Sequence, residues 1–240
     1  MKLTAIEFEK RLKALQSDSE LEKIQKFFKS GEGQYSEGDV FIAVRMGDVF
    51  NLAKEFIEMP LDEVEILLES AIHEMRVGAV SIMDFRARKK KITEAEYKAL
   101  FDLYIRRHDR INNWDLVDRS AQYVVGGYLY NKSRDILYQL AESDNMWERR
   151  TAIVSTSFFL RKKEVGDTFK IAEILLHDTE DLIHKATGGW IREAGKQAPV
   201  ILREFLNRYA ATMPRTTLRY AIEHFDKSEK ALYMGMAKAQ

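Results

Sequence analysis

Trp114 and Asp118 lie four residues apart in the segment INNWDLVDR, and together they form the most suggestive combination of side chains for chemistry. On a helix, residues four apart share one face. An indole ring can pack against a sugar or a nucleobase, and a carboxylate stabilises developing positive charge. The alternative interpretation is structural, with Trp114 as a core residue of its helix and Asp118 as a helix-start or ion-pair residue.

Other catalytic classes lack the residues that they need. The chain has no cysteine, which excludes a thiol nucleophile, a zinc ribbon and a cysteine-ligated cluster. Its five histidines fall in no metal-ligand spacing, and the Gly-x-Ser-x-Gly motif of serine hydrolases is absent. The glycine-rich segment Gly31–Asp39 lacks the Gly-Lys-Ser/Thr ending of a phosphate-binding loop and is expected to be a flexible connector. We therefore expect neither a metal nor a cofactor.

The composition predicts an all-α protein. Only three prolines and twelve glycines interrupt 240 residues, which leaves long stretches rich in good helix formers. No apolar run approaches the roughly 18 residues of a membrane span. The N-terminal segment carries Glu7 and Glu9 where a signal peptide would be apolar. These features lead us to expect a cytoplasmic protein with no membrane partner.

A basic residue, soon followed by a small residue, recurs near the start of the second helix of each predicted helix pair. The basic positions are 31 to 43 residues apart and comprise Arg76, Arg119, Arg150, Lys185 and Arg219. This period is typical of stacked helix pairs. The sequence therefore predicts one domain over residues 1–240, folded as a right-handed superhelical solenoid of HEAT- or armadillo-like repeats.

The recurring basic residues have two interpretations. The second helices of such pairs line a concave surface, where a stripe of positive charge suits a phosphate backbone. Alternatively, these residues pair with acidic side chains of neighbouring helices and hold the stack together. Lys plus Arg and Asp plus Glu number 38 each, so the net charge does not decide between the two.

Five segments of the chain resemble the AlkD-type DNA alkylation repair family, in the same order and at the expected distances. They span about residues 20 to 226 and are KFFKSGEGQYSEGDVFIAVR, NNWDLVD, SDNMWERRTAIV, DLIHKATGGWIREAGK and MPRTTLRYAIEHF. The resemblance implies a DNA glycosylase that excises N3- or N7-alkylated, cationic purines from duplex DNA without inserting the base into a pocket. We expect double-stranded DNA containing alkylated bases as the partner, a monomeric protein, and no obligate protein partner.

The resemblance also implies roles for individual residues. Trp114 and Asp118 match the catalytic tryptophan and aspartate of the family, and Arg150 matches its functional arginine. Phe27 falls where the family has an aromatic groove residue, and Arg45 falls at a polar DNA contact.

Further basic residues are expected to contact DNA phosphates from the concave face, namely Arg149, Lys185 and Arg219. Trp190 is expected to contact DNA, although it lies one residue after the usual position of a second groove tryptophan, which Gly189 occupies. One residue turns a helical side chain by about 100°. Trp190 therefore points away from the groove, or else the helix starts differently after Gly188–Gly189 and presents it.

This departure keeps two other functions open. One is a DNA-binding paralogue that recognises damaged or branched DNA with little or no glycosylase activity. The other is a helical-repeat scaffold that binds a peptide in its concave face, which follows from the predicted architecture alone.

Overall fold

The computed structural model describes residues 2–17 and 21–236. Within these ranges the regular secondary structure is helical, with one isolated bridge between Val40 and Ile72. The all-α prediction is thus confirmed. The chain divides into two compact units, Met1–Tyr128 and Leu129–Gln240.

The helices of the first unit are α1 Ala5–Lys13, α2 Leu21–Phe28, α3 Met46–Glu55, α4 Leu61–Glu69, α5 His73–Ala87, α6 Glu94–Arg106 and α7 Trp114–Ala121. The helices of the second unit are α8 Asp135–Ala141, α9 Met146–Arg161, α10 Gly166–Ile174, α11 Asp181–Gln197, α12 Pro199–Tyr209, α13 Arg215–Ala221 and α14 Lys227–Met236.

Helix α5 lies at the centre of the first unit. It packs against α3, α4 and α7, and nearly all of its residues are buried, including Val77, Val80 and Ile82. A helix that is buried on all sides must satisfy its polar side chains internally. The buried residues His73, Glu74 and Arg76 in its first turns therefore need partners on neighbouring elements.

In the second unit, α9, α11 and α13 pack one against the next, α8 and α10 pack on α9, and α12 packs on α11. The contact between α11 and α13 is close because Gly188 has no side chain. A Cβ atom at this position would lie 2.4 Å from the carbonyl oxygen of Thr217 and 2.7 Å from Cβ of Tyr220. The small residue that follows the recurring basic position thus lets these two helices approach closely.

The start of α7 is fixed by the buried Asn113. Its side-chain oxygen accepts a hydrogen bond from the backbone nitrogen of Trp114 at 2.8 Å, which caps the helix. Its amide nitrogen donates to the hydroxyl of Ser36 at 2.6 Å. After Ala121 the helix continues as a π-helical stretch, Gln122–Gly127, a feature that is frequent at functional sites.

The glycine pair of α11 gives a stability prediction, because its two members face different surroundings. We expect Gly188→Ala to lower the free energy of unfolding by about 1 to 3 kcal/mol, since the new methyl group overlaps α13. Gly189→Ala should raise it by about 0.5 to 1 kcal/mol, because the position is helical and nothing lies within 4 Å of an added Cβ. Urea unfolding of both variants tests this, and equal stabilities would contradict the packing of α11 on α13.

Candidate active-site cleft

A cleft of about 540 Å³ opens in the first unit between α2, α3, α5 and α7. The four predicted site residues that belong to this unit all line it: Phe27, Arg45, Trp114 and Asp118. The other lining residues are mostly apolar and comprise Ile24, Phe28, Val44, Met46, Phe50, Val77, Asp115 and Arg119. The cleft therefore combines aromatic walls with two carboxylates and two guanidinium groups.

Trp114 is held by three aromatic side chains. Its ring stacks on Phe28, with centroids 5.6 Å apart and an interplanar angle of 18°, and Phe27 meets it edge-on at 5.7 Å. Its indole nitrogen donates to the hydroxyl of Tyr35 at 3.3 Å. Trp114 is only half-buried, so the indole is fixed in orientation yet still contributes surface to the cleft.

Phe27, Arg45 and Asp118 are the exposed members of the cleft. Phe27 is 64% exposed, which is unusual for an aromatic side chain packed against other rings. Asp118 lies one helical turn after Trp114 on α7 and is also exposed. The spacing of four residues thus brings the indole and the carboxylate to one cleft, as the sequence pattern predicts.

Arg119, next to Asp118, is committed to contacts within the protein. Its guanidinium lies between the rings of Phe50 and Phe85, 4.6 Å from each centroid, and pairs with the buried carboxylate of Asp84 at 2.8 Å. It also donates to the hydroxyl of Ser81 at 3.1 Å. For this residue the structure favours the interpretation that the recurring basic residues hold helices together.

A buried charge network links α5 to α7 beneath the cleft. The Nε2 atom of His73 lies 2.8 Å from Oδ2 of Asp115, the residue after Trp114. On the other side of the ring, Nδ1 of His73 lies 3.3 Å from Oδ2 of Asp39. Arg76 donates from Nη2 to Oδ1 of Asp39 at 2.5 Å. Arg76 therefore supports the network and does not belong to a basic stripe on the surface.

The network determines the charge of His73. Burial by itself would lower the pKa of His73, but the charge of Asp115 and hydrogen bonds to Asp115 and Asp39 outweigh it and raise the pKa from 6.5 to about 9. Burial by itself would raise the pKa of Asp39. The hydrogen bond from His73 and the charge of Arg76 outweigh this effect and lower the pKa of Asp39 below its usual value. At neutral pH the network thus contains an imidazolium and ionised Asp39.

Glu74, which is also buried, holds the segment before α3 whose residues Val44 and Arg45 line the cleft. Its carboxylate accepts hydrogen bonds from the backbone nitrogens of Ile42 and Val44 at 3.2 to 3.4 Å. These bonds bracket Ala43, which has a positive φ of 58°. A left-handed alanine is strained unless its surroundings hold it. Glu74 thereby fixes the segment that leads into Arg45.

In the second unit, the two neighbouring arginines of α9 are largely occupied by protein contacts. Arg149 donates to Asp178 at 2.6 Å and to the carbonyl oxygens of Ser143 and Asp144. Arg150 is only 7% exposed and donates to the carbonyl oxygen of Leu182 at 2.8 Å. Both contacts join α9 to the segment that leads into and begins α11.

Lys185 and Arg219 line a second pocket of about 730 Å³, formed by α11 and α13. Lys185 pairs with Asp181 at 2.6 Å, and Nη2 of Arg219 lies 3.4 Å from the hydroxyl of Thr216. Arg192 also lines this pocket, and sequence analysis missed it. Arg192 follows Lys185 by seven residues, or two helical turns, so both residues lie on the same face of the helix. This spacing is the sequence signal that would have identified Arg192.

Trp190 does not line this pocket. Helix α11 runs without interruption through Gly188–Gly189, so the helix does not restart after the glycine pair. Gly189 faces open space and lies on the same helix face as Lys185 and Arg192. Trp190 is half-buried, and its side chain is turned by about 100° from that face. Its contact with DNA stays a prediction.

Several residues of the first unit were not foreseen from the sequence. The glycine-rich segment Gly31–Asp39 connects α2 to α3, as expected, but its side chains also reach the site: Tyr35 contacts Trp114, Ser36 contacts Asn113, and Asp39 contacts His73. Only a tertiary contact reveals this role, because nothing in the local sequence distinguishes the segment from an ordinary loop.

Comparisons with known proteins identify the family and the fold. The family model described as DNA alkylation repair enzyme matches residues 8–225, which is most of the chain. The chain belongs to this DNA alkylation repair family. A solved structure, titled a predicted DNA alkylation repair enzyme from Enterococcus faecalis, superposes with a TM-score of 0.70 at 16% identity, covering 88% of this chain and 97% of that chain. At this identity the similarity shows a shared fold. No curated protein matches the sequence.

Membership of the DNA alkylation repair family makes this chain an enzyme of DNA repair that acts on alkylated DNA. In the described part of the chain, no helix is both long and apolar enough to cross a membrane. Within the same residues, no group of three His, Asp or Glu side chains converges to hold a metal ion.

The raised pKa of His73 predicts a stability that depends on pH. Its pKa is higher in the folded state, so its contribution is complete below about 6.5 and is lost as the pH rises through about 9. The loss should reach up to about 3 kcal/mol in the free energy of unfolding. Urea unfolding at several pH values should show this decline in the natural protein. Subtracting the curve of His73→Gln removes the contribution of lysines and tyrosines, which titrate in the same range. If the free energies of unfolding of the two proteins run parallel with pH, the network is contradicted.

Proposed function

We propose that the protein is a monofunctional DNA glycosylase that excises N3- or N7-alkylated, cationic purines from duplex DNA. The observation that carries this proposal is the shared cleft, in which Trp114 and Asp118 lie together with Phe27 and Arg45. These four residues were selected from two distant parts of the sequence, and they converge on one surface of the first unit.

The proposed reaction is a hydrolysis at the sugar. The bond between C1′ and the purine nitrogen breaks, and its electron pair leaves with the alkylated purine, which departs as a neutral base. The sugar is left as an oxocarbenium-like cation. Water then forms the new C1′–O bond and releases a proton to a carboxylate or to solvent. The positive charge of the alkylated base already weakens the bond, so the protein needs to stabilise mainly the cationic sugar.

Asp118 and Trp114 suit that requirement. The carboxylate of Asp118 supplies negative charge beside the cationic sugar and can orient the attacking water. The indole of Trp114 offers a π-surface that attracts a cation. Because most of the cleft lining is apolar, bound DNA would exclude water from it, and the attraction between Asp118 and the sugar would be stronger than in bulk solvent.

The second pocket supplies a surface for the DNA backbone. Lys185, Arg192 and Arg219 surround it, and each has a partner within the protein that a phosphate can replace or share. Arg149 and Arg150 are proposed to support DNA contact from α9. In this proposal the helix pairs continue as a HEAT-like superhelix, and the protein works in the cytoplasm as a monomer without a protein partner.

A second candidate function is favoured by Gly189. The helix face that carries Lys185 and Arg192 has no side chain at this position, where the family resemblance implies a second groove tryptophan. A protein that binds damaged or branched DNA with little base release would tolerate this loss. Release of 7-methylguanine from methylated duplex DNA by the natural protein separates the two, and binding without release would establish the second function.

Asp118→Asn tests the catalytic assignment. The substitution keeps the shape of the side chain and removes its charge, so base release in a single turnover should fall by about 10²-fold, as expected for one well-placed electrostatic contact. Duplex affinity and melting temperature should change little. Asp102→Asn, a half-exposed carboxylate on α6 outside the cleft, serves as the matched control and should release base at the natural rate. A folded Asp118→Asn protein with unchanged turnover would remove Asp118 from the mechanism.

Arg219→Ala tests the proposed DNA surface. Loss of one phosphate contact should weaken binding to all duplexes and reduce the slope of log K against log salt by about 0.9. Arg219 is preferred to the buried Arg150, whose truncation would also remove its bond to Leu182. Lys170→Ala, on α10 outside the pocket, is the control. Equal salt slopes for Arg219→Ala and the natural protein would show that this pocket does not contact DNA.

A further inference from the structure

We propose that His73 is a positioning residue for base release: by binding Asp115 it fixes the first turn of α7, and with it Trp114 and Asp118. This inference rests on the proposed glycosylase function. His73 itself is not among the residues that line the cleft and has no exposed surface, so it acts through Asp115 and does not touch the substrate.

The geometry makes Asp115 the natural point of control. It lies between Trp114 and Asp118 in sequence, lines the same cleft, and accepts from Nε2 of His73 at 2.8 Å. A helix is rigid over a single turn, so a fixed residue within that turn also fixes the rotation of α7 about its axis. Rotation by a few tens of degrees would move both the indole and the carboxylate away from a bound sugar, and catalytic rates are sensitive to displacements of about 1 Å.

The ring of His73 is itself immobilised from the opposite side. Asp39 faces Nδ1 at 3.3 Å and is held in turn by Arg76, while the rings of Phe28 and Phe41 pack against the imidazole with centroids 4.9 Å away. The charged groups that face the ring are thus Asp39 from the connecting segment, Asp115 from α7, and Arg76 from α5. The position of His73 is fixed before DNA binds.

The charges explain why an imidazolium is needed there. With His73 protonated, two positive groups, His73 and Arg76, balance the carboxylates of Asp39 and Asp115. After deprotonation Asp115 keeps a hydrogen bond but loses its charged partner in a site with little solvent, where an unpaired charge is costly. The first turn of α7 would then relax, and the rate of base release would decline as the pH rises through about 9.

Three variants test the inference by single-turnover base release, duplex affinity and melting temperature at neutral pH. We expect Asp115→Asn and His73→Gln to release base about 10-fold more slowly or worse, with duplex affinity within about twofold of the natural protein. Asp167→Asn is the matched control, because it breaks another partly buried ion pair, that with Arg134 in the second unit, and does not line the cleft. It should lower the melting temperature but keep the natural rate.

A second readout does not depend on activity. In a Trp147→Phe/Trp190→Phe background Trp114 is the remaining tryptophan, and its fluorescence reports on the first turn of α7. Its emission should change in a transition near pH 9 that Asp167→Asn retains and His73→Gln abolishes. If His73→Gln does not fold, Asp115→Asn takes its place in this experiment.

The outcomes distinguish a failure of the positioning role of His73 from a failure of the proposed glycosylase function. Rate loss in Asp167→Asn equal to that in Asp115→Asn would overturn the positioning role, because the loss of any ion pair would then have the same effect. A Trp114 emission that stays constant from about pH 8 to about pH 10 would overturn it as well. If the natural protein releases no base, the proposed function fails, and the fluorescence transition still decides whether His73 positions α7.

Discussion

The ion pair between the buried His73 and Asp115 is the interaction on which the site of this protein depends. A charged histidine without solvent contact is tolerated only because Asp115 and Asp39 face it and Arg76 balances them. Removing any one member would leave an uncompensated charge in the core. The pair joins the starts of α5 and α7, and Asp39 extends the network to the segment before α3.

An apolar environment surrounds this charged centre and gives the cleft its chemical character. Phe28 and Phe41 pack on His73, and Phe28 in turn stacks on Trp114, so one aromatic cluster extends from the buried network to the cleft surface. The cleft wall is thus mostly apolar, while Asp118 stays exposed to solvent.

The recurring basic residues show how one sequence pattern serves two physical roles. Each lies on α5, α7, α9, α11 or α13, and in the short helices α7 and α13 the position falls in the last turn, contrary to the expectation from the sequence. The neighbouring groups also differ. Arg76 and Arg119 meet buried carboxylates and Arg150 meets a carbonyl oxygen, so these residues join helices. Lys185 and Arg219 lie at an open pocket, where Lys185 pairs with Asp181 and Arg219 contacts the hydroxyl of Thr216. A recurring position in the repeat does not by itself make a basic residue accessible to a ligand.

The sequence by itself determined the helical class and the pairing of Trp114 with Asp118, because helix propensity and a spacing of four residues act locally along the chain. Through the family resemblance it also pointed to Phe27 and Arg45, which line the same cleft as Trp114 and Asp118. Only the tertiary structure decided that His73, Asp39 and Asp115 form one network, since they come from positions 34 or more residues apart and meet only after the helices pack. It likewise decided the different surroundings of Gly188 and Gly189. Which face of α11 meets α13 is a property of packing that local sequence does not contain.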